Sequence, residues 1–212
     1  MANIADCAVA IAKEDLPKLN GAIKKVDVPQ SKWEKYQTVV RSYYEDLKTG
    51  RKCVLFCKNG YDETIYRLRE NGKVIAETTD GNYTPIKDKL EELGMTKNWQ
   101  KEKILEDKFI SNGYEVDWLK LDSYSYDMSP WVVEHGDHIT LYFGGRWNFP
   151  EKLENKLNEY GVRWQGAACD GSMDWEVDDL GNSDFGLRVA KDNVSGDDGE
   201  SYCDYYVEDT SK

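Results

Sequence analysis

Residues 138–169 read HITLYFGGRWNFPEKLENKLNEYGVRWQGAAC and contain three patterns in succession. The first six residues are typical of a strand, and a glycine-rich turn follows them. Leu153, Leu157 and Tyr160 then recur at helical spacing until Gly161, which indicates a helix and its end. Residues 162–178 return to strand patterns on both sides of an Asp-Gly turn. The stretch therefore predicts the order strand, helix, strand, strand.

The same part of the chain resembles the YubB-type ferredoxin-like domain of phage and plasmid proteins. The resemblance covers residues 139–189 and is carried by RWNFP at 146–150, by the helix at 151–160, by VRWQG at 162–166 and by the acidic strand after it. Residues 2–7 are similar to the family's first strand. The family commonly has Trp-x-Pro-Pro at the turn, and Phe149 departs from that pattern. The resemblance implies a ferredoxin-like fold and an origin in a mobile genetic element, and it implies no catalytic residues.

The N-terminal part of the sequence predicts helices and one hairpin. Asn71-Gly72 lies between two alternating runs, which is a strong hairpin signal. Residues 31–50 begin with a capping box, Ser31 to Glu34, and end at Gly50. Their large apolar residues recur at helical spacing: Trp33, Tyr36, Val40, Tyr43, Tyr44 and Leu47. Further helices are predicted at 14–25, 84–93 and 98–110.

These patterns predict an α+β protein with two regions. Residues 1–137 form an N-terminal α+β region with helices and a β-hairpin. Residues 138–212 form a ferredoxin-like βαββ unit with an acidic C-terminal end, in which Leu153 and Leu157 face the core.

The chain is acidic, and the excess is localised. Its 212 residues carry 40 acidic and 28 basic side chains, a net charge of -12. Residues 170–212 hold 13 acids and 3 bases, or -10, and the other 169 residues carry only -2. Direct binding to nucleic acid is disfavoured, because such binding depends on Lys and Arg neutralising phosphates.

Composition also limits the compartment and the redox state. No apolar run approaches the length of a membrane span, and the first residues lack the pattern of a secretory signal. The five cysteines are odd in number and irregularly spaced, so we expect them to be reduced. Cys53 and Cys57 would lie about 13 Å apart on one face of a strand, too far for a disulfide. We expect a cytoplasmic protein in a bacterial host cell.

The acidic end alternates carboxylates with apolar residues. In residues 173–178, Asp174, Glu176 and Asp178 would share one strand face at a spacing of about 6.8 Å. Neighbouring carboxylates at that distance repel by about 0.6 kcal/mol even in water, so an ordered row of them opposes folding. Residues 202–208 repeat the pattern. The predicted partner-binding residues are Asp174, Glu176, Asp178, Asp179, Asp184, Asp197, Asp198, Glu200, Asp204 and Glu208.

No catalytic or metal motif stands out. His135 and His138 form an H-x2-H pair in a loop before a strand, but no third ligand is near in sequence. The acids at 174–181 and 197–200 miss the spacing of an EF-hand loop. We therefore expect no catalytic residues, no metal and no cofactor.

Four interpretations of the function of the protein remain open. The first is a non-enzymatic phage inhibitor whose carboxylates imitate a phosphate array and occupy the basic groove of a host nuclease, such as a CRISPR effector or a restriction enzyme. The second is a metal-dependent hydrolase that uses the acidic cluster, which requires converging carboxylates. The third is an accessory protein that stacks nucleic-acid bases on a sheet. The fourth is a solubilising tail without a partner.

Overall fold

The structure, a computed structural model, describes residues 4–27, 35–60, 63–123, 130–146, 148–170, 176–195 and 201–211. Most of these residues lie in strands. The described strands are β1 (Ile4–Ala12), β2 (Ile23–Lys25), β3 (Lys35–Glu45), β4 (Lys52–Asn59), β5 (Thr64–Glu70), β6 (Lys73–Thr78), β7 (Thr96–Ser111), β8 (Tyr114–Asp117), β9 (Trp131–Glu134), β10 (His138–Arg146), β11 (Trp164–Cys169), β12 (Glu176–Gly181), β13 (Leu187–Ser195) and β14 (Ser201–Asp209). The described helices are α1 (Thr84–Glu92), α2 (Glu151–Tyr160) and a short 3-10 helix at Lys13–Leu19.

The described strands form three antiparallel sheets. One has five strands in the order β12-β11-β1-β10-β9, a second is the hairpin β13-β14, and a third has seven strands in the order β2-β8-β7-β3-β4-β5-β6. The protein is therefore β-rich, and the predicted ferredoxin-like α+β class with an N-terminal helical region is wrong.

Two of the predicted helices are strands. Residues 35–45, expected to be helical, form β3, because β-branched and aromatic residues favour a pleated, half-buried surface. Leu47, expected on the buried side of that helix, is 81 % exposed in the turn after β3. The capping box at 31–34 lies outside the described residues. Residues 98–110 belong to β7 although Lys, Glu and Leu favour helices, so tertiary pairing overrides local propensity there.

The C-terminal elements follow the predicted order, but their sheet is not local. Helix α2 spans the expected residues and fully buries Leu153 and Leu157, as predicted. However, β1 lies between β10 and β11, with Val9 opposite both Leu141 and Gly166. The strands on either side of α2 are therefore joined through a strand from the other end of the chain. A βαββ unit confined to residues 138–212 does not describe this arrangement.

The chain divides into two compact units. Unit 1 comprises Met1–Glu34 and Ile110–Lys212, and unit 2 comprises Lys35–Phe109. This division differs from the expected boundary between residues 137 and 138, because β1 belongs with the C-terminal strands.

Both faces of the five-stranded sheet in unit 1 are packed. On one face, Trp164 stacks on Phe149 at a centroid distance of 6.0 Å, and its indole N–H donates to Asn158 of α2. On the opposite face, the hairpin β13–β14 contributes Leu187 and Val207 to a core cluster with small side chains of β1 and β11. These small side chains are Ala8, Ala10, Ala167 and Cys169. They leave room for the hairpin close to the sheet.

Unit 2 has its own core, in which α1 covers one face of the strands. Ile86 and Leu90 of α1 pack with Leu55 and Leu68 of the sheet. The β5–β6 hairpin turns at Asn71-Gly72, as predicted, and both residues have the positive φ angles that this two-residue turn requires. Cys53 and Cys57 lie on β4 and are free thiols, as expected.

Candidate functional site

The predicted acidic residues fall into two groups. Four of them have exposed side chains: Glu176, Asp178, Asp179 and Asp184. The side chain of Glu208 is half-buried. Asp204 lies on β14, directly opposite Asp192 of β13. Asp174, Asp197, Asp198 and Glu200 lie outside the described residues.

Strand β12 presents three carboxylates on an edge of the five-stranded sheet. Among the strands that the structure describes, it pairs with β11 alone. Val177 pairs with Ala168 and Leu180 pairs with Gly166, so two residues of β12 lie opposite a single residue of β11. This extra residue in β12 forms a β-bulge. Asp179 in this bulge has a φ of 63°. Because Val177 and Leu180 are half-buried, the bulge leaves two successive carboxylates, Asp178 and Asp179, exposed after Glu176.

The other described acids are engaged locally. Asp184 accepts a hydrogen bond from the backbone N–H of Gly186 at 3.0 Å, so it closes a turn. Glu208 forms an ion pair of 2.8 Å with Arg188, its cross-strand neighbour on the hairpin. The described carboxylates of the predicted set therefore do not converge. This arrangement suits a charged contact surface and does not provide a metal clamp.

A separate cluster of polar side chains lies where β10 begins and β14 ends. His138 is 1 % exposed, and its Nε2 lies 2.9 Å from Oδ2 of Asp209. His135 precedes it across a tight bend, in which the His135 N–H donates to the His138 carbonyl at 2.9 Å. The His135 Nε2 lies 3.2 Å from the same Oδ2 atom. The two imidazole rings stack with centroids 4.6 Å apart.

Hydrogen bonds hold the remaining polar atoms of this cluster. Oδ1 of Asp137 lies 2.6 Å from Nδ1 of His138, and the Ser211 hydroxyl lies 3.2 Å from Nδ1 of His135. Thr140 and Ser211 donate hydroxyl hydrogen bonds to Asp209. Burial raises the pKa of Asp209, but the hydrogen bonds from Ser211, Thr140 and His138 outweigh burial and lower that pKa to about 2. Asp209 is therefore an anion at neutral pH.

Sequence reasoning identified the two histidines but missed their third partner. Asp209 is 71 residues from His138, and only the docking of the hairpin on the five-stranded sheet brings the two together. In sequence Asp209 is one acid among many in residues 170–212, and no local signal separates it from the exposed ones. The expectation that the histidines lack a nearby ligand was based on sequence distance alone.

Unit 2 carries a basic and aromatic sheet surface. On the strand faces opposite α1, Arg41 pairs across with Phe56, and Phe56 with Arg67. The next row along the strands is Tyr43, Val54 and Arg69. These side chains line a shallow groove together with Lys52. Arg67 is ion-paired with Glu77. Residues 35–109 carry 15 basic and 13 acidic side chains, a net charge of +2 against -14 for the rest of the chain.

No protein-family model matches the chain, and a search of the curated proteins finds no match. Among the residues that the structure describes, no helix combines the length and apolar character needed to cross a membrane.

Proposed function

We propose that the protein is a non-enzymatic inhibitor from a mobile genetic element, such as a phage, and that it acts inside a bacterial host cell. Its acidic surface would occupy the nucleic-acid channel of a host defence nuclease, either a CRISPR effector or a restriction enzyme. The observation that carries this proposal is the exposed edge strand β12, where Glu176, Asp178 and Asp179 project as three carboxylates from an ordered backbone.

The exposed carboxylates on β12 favour the inhibitor over the main alternative, a metal-dependent hydrolase. A hydrolase that used the acidic cluster would need carboxylates that converge on a shared metal or substrate. The described carboxylates on β12 are exposed and lie in sequence along an edge. A charged edge of this kind accelerates encounter with an oppositely charged groove and disfavours acidic partners.

The bulge in β12 concentrates negative charge at the edge of the sheet. A regular strand would present alternate residues on one side, about 6.8 Å apart. The bulge instead exposes Asp178 and Asp179 in succession, which raises the local density of negative charge beside Glu176. We expect this segment to contribute more to partner binding than the exposed acids elsewhere in the chain.

The test compares two triple variants with the same change in net charge. The first is Glu176→Gln, Asp178→Asn and Asp179→Asn. The control, Glu91→Gln, Glu92→Gln and Glu159→Gln, neutralises helix carboxylates whose side chains are 64–67 % exposed. Binding to a panel of purified CRISPR effectors and restriction enzymes is measured by surface plasmon resonance, with nuclease activity assayed in parallel.

We expect wild type and the control to bind one nuclease class, to inhibit it and to compete with its nucleic acid. The β12 variant should bind at least tenfold more weakly, and wild-type affinity should fall as salt rises. Equal binding by both triple variants would show that β12 is not the contact surface. Failure of wild type to bind any nuclease in the panel would contradict the inhibitor proposal and favour a solubilising role.

The surface of unit 2 favours a second function, direct binding of single-stranded nucleic acid. Arg41 and Arg69 flank the aromatic side chains Tyr43 and Phe56 on one sheet face, and such faces stack bases between cationic contacts. Fluorescence anisotropy with labelled oligonucleotides tests this function. Binding that is lost in Phe56→Ala and weakened in Arg69→Ala supports it, and no binding at 50 mM salt contradicts it.

A further inference from the structure

Three potential metal ligands converge at the ends of β10 and β14. One ligand atom from each of His135, His138 and Asp209 lies within 4.8 Å of the other two. Both Nε2 atoms lie close to the same carboxylate oxygen, that of His135 at 3.2 Å and that of His138 at 2.9 Å. In a tetrahedral zinc site, bonds of about 2.0–2.2 Å place neighbouring ligand atoms about 3.3–3.5 Å apart. The distances between the ligand atoms suit one ion, and rotation of the His135 ring out of its stack on His138 would bring both Nε2 lone pairs onto it.

The other nitrogen of each ring already has a partner. Asp137 holds Nδ1 of His138 at 2.6 Å, and Ser211 lies 3.2 Å from Nδ1 of His135. Metal-binding histidines almost always use the second nitrogen in this way, because the outer hydrogen bond fixes the ring orientation and the tautomer. Nε2 of His138 is thus directed at Oδ2 of Asp209, and Nε2 of His135 lies beside the same oxygen without the alignment of a hydrogen bond.

Hydrogen bonds alone leave the cluster incompletely satisfied. Oδ2 of Asp209 is already in contact with His138 and accepts a hydrogen bond from Thr140. The Nε2 atom of His135 is buried and has no hydrogen-bond partner of acceptable geometry, although Oδ2 lies 3.2 Å away. Native proteins rarely leave a buried polar atom in this state. A bound ion would satisfy the His135 nitrogen by accepting its lone pair.

We propose that His135, His138 and Asp209 bind one divalent transition-metal ion, with Zn²⁺ preferred. Two imidazole nitrogens and one carboxylate oxygen suit Zn²⁺, whereas Ca²⁺ and Mg²⁺ prefer sets made of oxygen atoms. The neighbouring Glu134 is not part of this set, because it forms ion pairs with Lys13 and Lys25. The site is independent of the acidic surface on β12.

The bound ion would cross-link two elements of unit 1, β10 and the β13–β14 hairpin. His135 and His138 adjoin and begin β10, whereas Asp209 ends β14 of the hairpin. An ion bound to all three would fasten the hairpin to the five-stranded sheet. Three protein ligands also leave a fourth coordination position for water or a further donor.

The first experiment measures binding of Zn²⁺ itself. The full chain is treated with a chelator, desalted and titrated with ZnCl₂ by isothermal calorimetry, and Co²⁺ binding is followed by visible absorption. We expect one ion per chain at micromolar affinity or tighter, and a melting temperature that rises with the concentration of free Zn²⁺. Absence of saturable Zn²⁺ binding to the wild-type protein overturns the proposal.

Variants then separate this site from adventitious binding to surface acids. His135→Asn and Asp209→Asn should each lose stoichiometric Zn²⁺ and Co²⁺ binding, and Asp137→Asn should weaken it about 10- to 100-fold. Glu159→Gln, an exposed carboxylate on α2, should bind as wild type does. Far-UV circular dichroism checks folding, and the partly exposed His135 provides the test if Asp209→Asn does not fold. Unchanged binding in His135→Asn overturns the proposal.

Discussion

At the scale of single residues, the buried carboxylate of Asp15 is stabilised by several hydrogen-bond and ion-pair partners at once. Asp15 is 4 % exposed and accepts hydrogen bonds from both the backbone N–H and the Nε of Arg163, each at 2.9 Å. Lys18 approaches the same carboxylate at 2.8 Å. These side-chain and backbone hydrogen bonds hold the pKa of Asp15 well below its usual range. The carboxylate thus joins the 3-10 helix to the residue before β11.

Asp15→Asn should lower the free energy of unfolding by about 1–3 kcal/mol at pH 7, because a charge-assisted set of hydrogen bonds is lost. Since the folded-state pKa is depressed, this stabilisation is present above the unfolded pKa of about 4 and is lost as pH falls below it. Urea unfolding of wild type and variant at pH 7, 5, 4 and 3 measures the difference.

Glu14→Gln is the matched control, because exposed Glu14 forms an ion pair with the same arginine at 2.7 Å. Exposed pairs contribute little, so this variant should unfold nearly as wild type does. A difference between Asp15→Asn and wild type that stays constant from pH 7 to pH 3 would contradict the assigned role of Asp15.

At the scale of elements, one side chain fastens β13 to the five-stranded sheet. Oε1 of Gln165 accepts the backbone N–H of Phe185 at 2.7 Å and of Leu187 at 3.0 Å. Its Nε2 donates to the Leu187 carbonyl at 3.0 Å. Gln165 is 2 % exposed, so no water replaces these bonds easily. The Gln165 amide therefore supplies three hydrogen bonds to the residues at the start of the hairpin.

Gln165→Met should destabilise unit 1 by about 1–3 kcal/mol, because buried backbone groups lose their partners while side-chain volume is nearly kept. Hydrogen exchange at the Leu187 amide should accelerate more than exchange in β1. Gln100→Met, at an exposed position of β7, is the control and should change neither measurement. Protection at Leu187 equal to that of wild type would show that other contacts hold the hairpin.

Leu157→Ala on α2 should cost about 2–5 kcal/mol, as large-to-small core substitutions do. Leu157 is fully buried, whereas Lys152 on the same helix is exposed, so Lys152→Ala should have little effect. Thermal or urea unfolding compares the two variants. A cost below about 1 kcal/mol for Leu157→Ala would indicate that α2 is not packed as described.

Elements defined by their own local chemistry were predictable from the sequence. Helix α2 has apolar residues at helical spacing and a terminal Gly161, and the Asn71-Gly72 hairpin has a turn dipeptide. In residues 35–45, aromatic residues that recur at helical spacing also suit a strand, and pairing with β4 decides between them. The His135–His138–Asp209 cluster depends on the docking of distant strands, so spacing in sequence could not reveal it.

At the scale of the whole molecule, charge is distributed unevenly. Residues 35–109 carry +2 and the remaining residues carry -14. Part of the negative charge lies along β12, which is an edge strand among the described sheets. Charged side chains on an edge strand disfavour its association with other strands. The same charges oppose folding through mutual repulsion, which screening by salt reduces.

The triple variant Glu176→Gln, Asp178→Asn and Asp179→Asn should therefore melt at the same temperature as wild type or higher in 20 mM salt. The difference should shrink in 1 M salt, because screening removes the repulsion that the variant relieves. Differential scanning calorimetry at both salt concentrations measures it. A lower melting temperature than wild type in low salt would show that these carboxylates make stabilising contacts.

The position of β1 at the centre of its sheet has a consequence for biosynthesis. This apolar strand is synthesised before its neighbours β10 and β11, which follow more than 120 residues later. At about 5–20 residues per second, that delay lasts roughly 6–30 s. Unit 2 is continuous in sequence and is synthesised during the interval. A nascent chain of this kind would leave β1 available to chaperones, so depletion of ribosome-associated chaperones should lower the soluble yield.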